Sequence, residues 1–344
     1  MRFAVALLLL AAARAACAAD PLPALGADPA ATTVSGVSSG GYMAVQLHVA
    51  HSATVRGAGV LAAGPYGCAQ GSAWTAYYNC MTPRAWWPLP PVTALKAAVE
   101  VLAAARAIDP PAGLAPSRVW LFGGTADRTV EPAVVDALAR FYGEYVPAAQ
   151  IARVKNVPAG HALVTEDAGG PCSATASPFI NDCDYDAAGR LLAHLYGPLM
   201  PPPSAPAGTL RAFDQRPYTD GDPRSTSLAE SGFVYVPAAC TVGGCRVHVA
   251  LHGCRQSAEA IGERFVREAG YNRWADANRI VVLYPQAIAR NGPGLFGGRY
   301  SFVFNPNGCW DWWGYTGPRY HTQSAPQIRA IRAMVVRLAE RSAS

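Results

Sequence analysis

Thr33-Val34-Ser35-Gly36-Val37-Ser38-Ser39-Gly40-Gly41-Tyr42-Met43-Ala44 carries a β-branched run into a helix-like stretch through the pentad Gly36-Val37-Ser38-Ser39-Gly40. A Gly-x-Ser-x-Gly pentad between a strand and a helix is the sequence form of a nucleophile elbow, a sharp turn that lifts the serine hydroxyl above the end of a sheet. Such a turn is crowded, so the residues on either side of the serine's neighbours must be small, and Gly36 and Gly40 meet that demand around Ser38. Ser39 has Val37 at the corresponding place and is the poorer nucleophile. The stretch predicts a strand, a strained turn and an amphipathic helix, in that order.

Outward from the pentad, short apolar runs bounded by Gly and Pro recur at Ala31–Ser35, Ala58–Ala63, Val119–Phe122, Arg153–Val157, Phe233–Val236, Val247–Leu251 and Ile280–Tyr284. These read as strands of a buried sheet. Helix-like stretches lie between them at Tyr42–His51, Pro132–Tyr145, Ala258–Asn278 and Pro326–Arg341, the last with Ile328, Ile331, Val335 and Leu338 at helical spacing. The alternation predicts an α/β fold with a central, mostly parallel sheet flanked by helices. Pro198–Gly208, with Pro201, Pro202, Pro203 and Pro206, reads as a stiff connector. Each part of the chain beside it would hold only half of the chemistry below, so residues 20–344 are expected to form one catalytic domain with the connector inside it.

A serine hydroxyl is a weak nucleophile at neutral pH and needs a base oriented by a carboxylate. With the order Ser, acid, His as guide, Asp127 in Gly123-Gly124-Thr125-Ala126-Asp127 and His161 after Pro158-Ala159-Gly160 each follow a strand. Asp127 reads equally as a helix N-cap before Glu131-Pro132 when taken alone. Of the other histidines, His48 and His51 sit on the helix after the elbow, His194 and His321 lack a preceding strand, and His248 lies inside one. The expected catalytic set is Ser38, Asp127 and His161.

Attack on an ester creates an oxyanion that two backbone N–H groups must hold. Ser39 supplies the first. A strand followed by His-Gly supplies the second in Val247-His248-Val249-Ala250-Leu251-His252-Gly253-Cys254, which makes the Cys254 amide the candidate. This loop ordinarily precedes the serine and here follows it far downstream. Circular permutation accounts for the order, with the proline-rich connector marking the older termini.

Composition limits the setting. Arg2, the apolar run Ala4–Ala13 and Ala16-Cys17-Ala18 read as a signal peptide over residues 1–19, with a run too short to span a membrane. Its removal takes Arg2 and Arg14, lowers the formal net charge from +5 to +3, and leaves eight of nine cysteines. An even count in a secreted chain points to disulfides, and proximity suggests Cys68–Cys80, Cys172–Cys183, Cys240–Cys245 and the long-range Cys254–Cys309. No CxxC pair occurs, so no metal is expected. The only lysines are Lys96 and Lys155 and no basic run appears, so nucleic acid is not an expected partner.

The strings Gly36-Val37-Ser38-Ser39-Gly40-Gly41-Tyr42-Met43, Leu251-His252-Gly253-Cys254, Tyr271-Asn272-Arg273-Trp274-Ala275-Asp276 and Asn307-Gly308-Cys309-Trp310-Asp311-Trp312 resemble the single-domain, circularly permuted poly(3-hydroxybutyrate) depolymerases of the α/β-hydrolase superfamily. The resemblance runs from about residue 22 to the C-terminus. It implies a cofactor-free serine esterase, released outside the cell or into the periplasm as a monomer, acting on an insoluble polyester with no membrane partner. No segment resembles a separate polymer-binding module, which leaves adsorption to the catalytic face. Candidates there are Trp74, Tyr77, Tyr78, Trp86, Trp87, Phe296, Tyr300, Phe302 and Phe304, although core packing is the default for any one of them. Relatives carry a crevice tryptophan in the loop after the Tyr-Pro-Gln-Ala strand; here Phe296 or Tyr300 stands in for it, with Trp310 as a further contact. A plant-wall feruloyl or acetyl esterase shares the His-Gly-Cys and Gly-Cys-Trp segments, and a secreted binding protein that has lost activity is a third reading.

Overall fold

The computed structural model describes residues 19–296 and 299–341. The expected leader, all but its last residue, lies outside them. The chain runs β1 (Asp28–Val37), α1 (Ser39–Ala50), β2 (Val55–Leu61), α2 (Ala73–Tyr78), α3 (Val92–Ala104), β3 (Arg118–Phe122), α4 (Pro132–Gly143) and β4 (Ile151–Val154). Next come β5 (Leu163–Thr165), β6 (Gly170–Pro171), β7 (Ile180–Asp182), α5 (Ala187–Tyr196), β8 (Thr209–Asp214), β9 (Ser231–Val236) and β10 (Arg246–Leu251). It closes with α6 (Ala258–Ile261), α7 (Arg264–Glu268), α8 (Tyr271–Ala277), β11 (Ile280–Tyr284), β12 (Arg290–Phe296), β13 (Arg299–Asn305) and α9 (Pro326–Ala339).

Eight strands form one sheet in the order β4-β3-β2-β1-β10-β11-β9-β8. Strands β4 through β11 are parallel to one another, while β9 and β8 join antiparallel at one edge. Strands from both sides of the Pro198–Gly208 connector therefore share this sheet. Both faces are apolar because successive side chains point to opposite sides. On β3, Val119 and Leu121 enter one core while Trp120 and Phe122 enter the other, and β11 divides Val281 and Leu283 from Val282 and Tyr284 in the same way. One core is covered by α1, α3, α4 and α9, the other by α5, α7 and α8. Ile328, Ile331, Val335 and Leu338 of α9 are all buried in the first.

Two expected elements differ. Every residue of α1 is buried, polar Gln46 and His48 included, so the helix expected to be amphipathic has no solvent face; it lies between β1 and β2 on one side and α9 on the other. The helix expected over Ala258–Asn278 is three short ones, interrupted where Gly262 and Gly270 adopt φ of 63° and 84°. That left-handed region costs glycine little and turns the chain where a continuous helix could not.

Candidate active site

Ser38 sits between the last residue of β1 and the first of α1, with φ 56° and ψ −124°. The left-handed backbone at a non-glycine residue is strain held by its surroundings. Its N–H donates to the Leu61 carbonyl at 2.9 Å and its own carbonyl accepts from Tyr42 N–H at 3.0 Å. The pentad's glycines are obligatory here by contact. A Cβ on Gly36 would lie 2.2 Å from the Gly40 carbonyl oxygen, and one on Gly40 would lie 2.4 Å from the carbonyl oxygens of both Leu251 and His252. The elbow is thus pressed against the end of β10.

Because β1, β3, β4 and β10 run parallel, the loops that leave their C-terminal ends meet at one edge. His161 Nε2 lies 2.8 Å from Ser38 Oγ, and His161 Nδ1 lies 2.7 Å from Asp127 Oδ2. Asp127 is buried, and its other oxygen, Oδ1, accepts from Thr129 N–H at 2.8 Å and Val130 N–H at 2.9 Å. Helix α4 starts later with Glu131 as its cap, so the N-cap reading of Asp127 does not describe its position. The Asp127 and His161 loops are stitched by Thr125 N–H to Val157 O at 2.9 Å and Ala126 N–H to Ala159 O at 3.2 Å.

Ser39 opens α1, where first-turn amides have no intrahelical acceptor. The Cys254 loop closes on the same point: a Cβ on Gly253 would come within 3.3 Å of Ser38 Cβ. Neither the Ser39 nor the Cys254 amide donates to a loop carbonyl among the described residues. His252 braces the loop, accepting Ala287 N–H at Nε2 (3.0 Å) and donating from Nδ1 to the Gly253 carbonyl (2.7 Å). Burial pushes its pKa down to about 4, which keeps the ring neutral for that pairing. Four disulfides are present, Cys68–Cys80, Cys172–Cys183, Cys240–Cys245 and Cys254–Cys309. The last ties the Cys254 loop to the aromatic segment that begins at Trp310.

Ser38 and His161 open into a cavity of about 380 Å³ whose wall includes Tyr42, Tyr77, Met81, Phe179, Phe304, Trp312 and Trp313. Here two expected substrate contacts are corrected. Trp310 is fully buried and donates its indole N–H to the His252 carbonyl at 3.0 Å, so it supports the loop from below and touches no substrate space. Tyr300 is 87% exposed and lines a separate cavity with Tyr66, Tyr320 and His321. The backbone of Phe296 ends β12, and its side chain lies outside the described residues. The default of core packing also fails for Trp74, Tyr77, Tyr78, Trp86, Tyr300, Phe302 and Phe304, all of which are exposed. Sequence reading missed Trp312 and Trp313; the run Trp310-Asp311-Trp312-Trp313 was the available signal, but not which ring turns inward.

A hydroxyl, an imidazole and a buried carboxylate in hydrogen-bonded series, at the C-terminal edge of a mostly parallel α/β sheet, define the class of the serine hydrolases. No protein-family model matches the chain. It is 45% identical over 327 residues to a poly(3-hydroxybutyrate) depolymerase of Delftia acidovorans, a match that covers 93% of this chain and 62% of that longer protein. It is 36% identical over 334 residues to a polyhydroxybutyrate depolymerase of Talaromyces funiculosus, covering 95% of each. The crystal structure of the PHB depolymerase from Penicillium funiculosum superposes with a TM-score of 0.83 at 35% identity, over 93% of this chain and 98% of that one. A PHB depolymerase serine-to-alanine variant complexed with an R3HB trimer gives the same figures. The chain belongs to the polyhydroxybutyrate depolymerase family.

Proposed function

We propose that this protein is a secreted, monomeric serine esterase that hydrolyses poly(3-hydroxybutyrate) or a related polyhydroxyalkanoate to short hydroxyacid products. The observation that carries the reading is the unbroken series from Ser38 Oγ through His161 to Asp127 at the floor of an aromatic cavity. The named activity of the relatives and the R3HB trimer of one related structure support the substrate class.

In this mechanism His161 Nε2 takes the Ser38 proton as Oγ attacks the ester carbonyl, and Asp127 holds Nδ1–H and balances the imidazolium. The carbonyl oxygen becomes an anion facing the amides of Ser39 and Cys254. As the tetrahedral centre collapses, the ester C–O bond breaks and the departing alkoxide takes the proton from His161. Water repeats the sequence on the acyl-serine and frees the acid.

We read the fold as a circularly permuted α/β-hydrolase forming a single catalytic domain. Two features favour this. The segment before β1 lies against the end of α9, since Leu25 and Ala27 N–H groups donate to the Leu338 carbonyl at 3.2 and 3.0 Å. Counted from β8, just after the proline-rich connector, the strands follow one another across the sheet with a single exchange of neighbours, β11 before β10. The disulfides fit an oxidising, extracellular setting.

Purified protein is expected to clear a suspension of polyhydroxybutyrate granules, and its Ser38→Ala variant to leave them turbid while keeping the wild-type unfolding midpoint. Release of ferulate from a synthetic ester with no clearing would assign it to plant-wall esters instead.

A further inference from the structure

The cavity over Ser38 holds one permanent charge. Among the described residues that line it, Arg255 and His161 are the only basic side chains, and no Asp or Glu reaches its wall. Arg255 follows Cys254 directly, with φ 60°, and its N–H donates to the Asn307 carbonyl at 2.7 Å. Its guanidinium carbon lies 4.7 Å from the centre of the Phe179 ring, which lines the same cavity.

This stack is anchored from beneath. Buried Gln256 accepts Gly253 N–H at Oε1 (2.7 Å) and donates from Nε2 to the Phe179 carbonyl (2.8 Å), linking the strand-end loop to the residue under the guanidinium. The guanidinium sits over the ring, and its N–H groups have no carboxylate in the cavity wall to pair with. Asp127, the nearby carboxylate, is hydrogen-bonded to His161 and not to Arg255.

A polyester of hydroxyacids is neutral along its length and carries its one charge on the carboxylate that ends the chain. An arginine gains little from an interior segment, whereas its planar fork matches a carboxylate in two parallel hydrogen bonds. We propose that Arg255 binds the free carboxylate terminus of a hydroxyacid oligomer, so that the enzyme favours short, carboxylate-ended chains and cuts near that end. The inference rests on the polyester-esterase reading above. It also fixes polarity: the carboxyl end lies beyond the alkoxy oxygen of the scissile bond, so the carboxylate belongs to the leaving alcohol. The hydroxyl-ended fragment stays on Ser38 Oγ, and the carboxylate-bearing hydroxyacid takes the proton from His161 and departs first.

The test compares a 3-hydroxybutyrate trimer as the free acid with the same trimer capped as a terminal carboxamide, which is neutral and of equal size. Wild-type enzyme is expected to show a KM about fivefold lower for the acid, the scale of one partly exposed ion pair, and the preference should shrink as salt is added. In Arg255→Gln the amide-to-acid KM ratio should fall from about five to about one, and Arg255→Lys should restore part of it. Equal KM values for the two trimers in the wild type would overturn the carboxylate site while leaving the esterase reading intact, as would a preference unaltered in Arg255→Gln. Hydrolysis of neither trimer by folded wild-type enzyme would overturn both. Should the glutamine variant fail to fold, the salt dependence of the wild-type ratio decides alone.

Discussion

The bridge between Cys254 and Cys309 is expected to contribute more stability than any other disulfide in the molecule, and to be the one that activity requires. Its partners are 55 residues apart, against 12, 11 and 5 for the others. Loop-closure entropy lost from the unfolded chain then corresponds to about 4 kcal/mol for Cys254–Cys309 and about 2 kcal/mol for Cys240–Cys245. The long bridge also ties down the loop that carries the Cys254 amide, the proposed oxyanion donor, and such a donor must stay within about half an ångström of its working place. The double variant Cys254→Ala/Cys309→Ala should therefore lose about 4 kcal/mol in urea unfolding and at least about tenfold in kcat on a soluble short-chain ester. Cys240→Ala/Cys245→Ala should lose about half as much stability and keep its kcat. Unchanged unfolding free energy in the first variant, or a reversed ranking of the two, would refute the entropy argument. Wild-type kcat in the first variant would show that the bridge does not hold the amide in place.

Gly40→Ala places a methyl group 2.4 Å from two carbonyl oxygens at the end of β10, so α1 must shift; a loss above about 2 kcal/mol together with most of the activity is expected, and an unaltered melting curve would mean the elbow is looser than it looks. Stability should also fall in acid. Burial pushes His48 and His248 down to about 3 and His252 to about 4, so all three stay neutral in the folded protein while the unfolded chain takes up protons below about pH 6.5. Their contribution is complete above that pH and is lost progressively as pH falls toward 4 and 3, at about 2 kcal/mol per histidine by pH 5. Urea titrations at a series of pH values check this, and constant stability between pH 7 and 5 would contradict it.

Features written in short-range chemistry were legible from the residues. Of the seven expected strands, the one over Arg153–Val157 starts two residues earlier, at Ile151, and ends at Val154. The other six occur at or near their expected bounds, because a strand buried on both faces needs an apolar run closed by turn residues and little else. The pentad announced itself for the same reason, since the collisions that demand Gly36 and Gly40 arise within the elbow and against the adjoining strand end. Elements with weaker local signatures were passed over. Helix α5 offered an Asp186 cap and Leu191, Leu192 and Leu195 on one face, and α3 offered an alanine-rich run. The β12–β13 hairpin starts with Arg290-Asn291-Gly292-Pro293-Gly294, which reads as a loop until its partner strand is seen.

The sequence by itself determined the α/β class, the residue types of a serine relay and the order in which they come, because strand propensity, turn sterics and acid–base chemistry are properties of a few neighbouring residues. Only the tertiary structure decided which aromatic rings line the cavity over Ser38. Trp310 and Trp312 stand two positions apart in the same run, yet Trp310 lies beneath the loop with its N–H on His252 while Trp312 stacks on Tyr42 and lines the cavity. Which side of a segment is covered depends on the elements that pack against it from elsewhere in the chain. Neither local composition nor spacing carries that information.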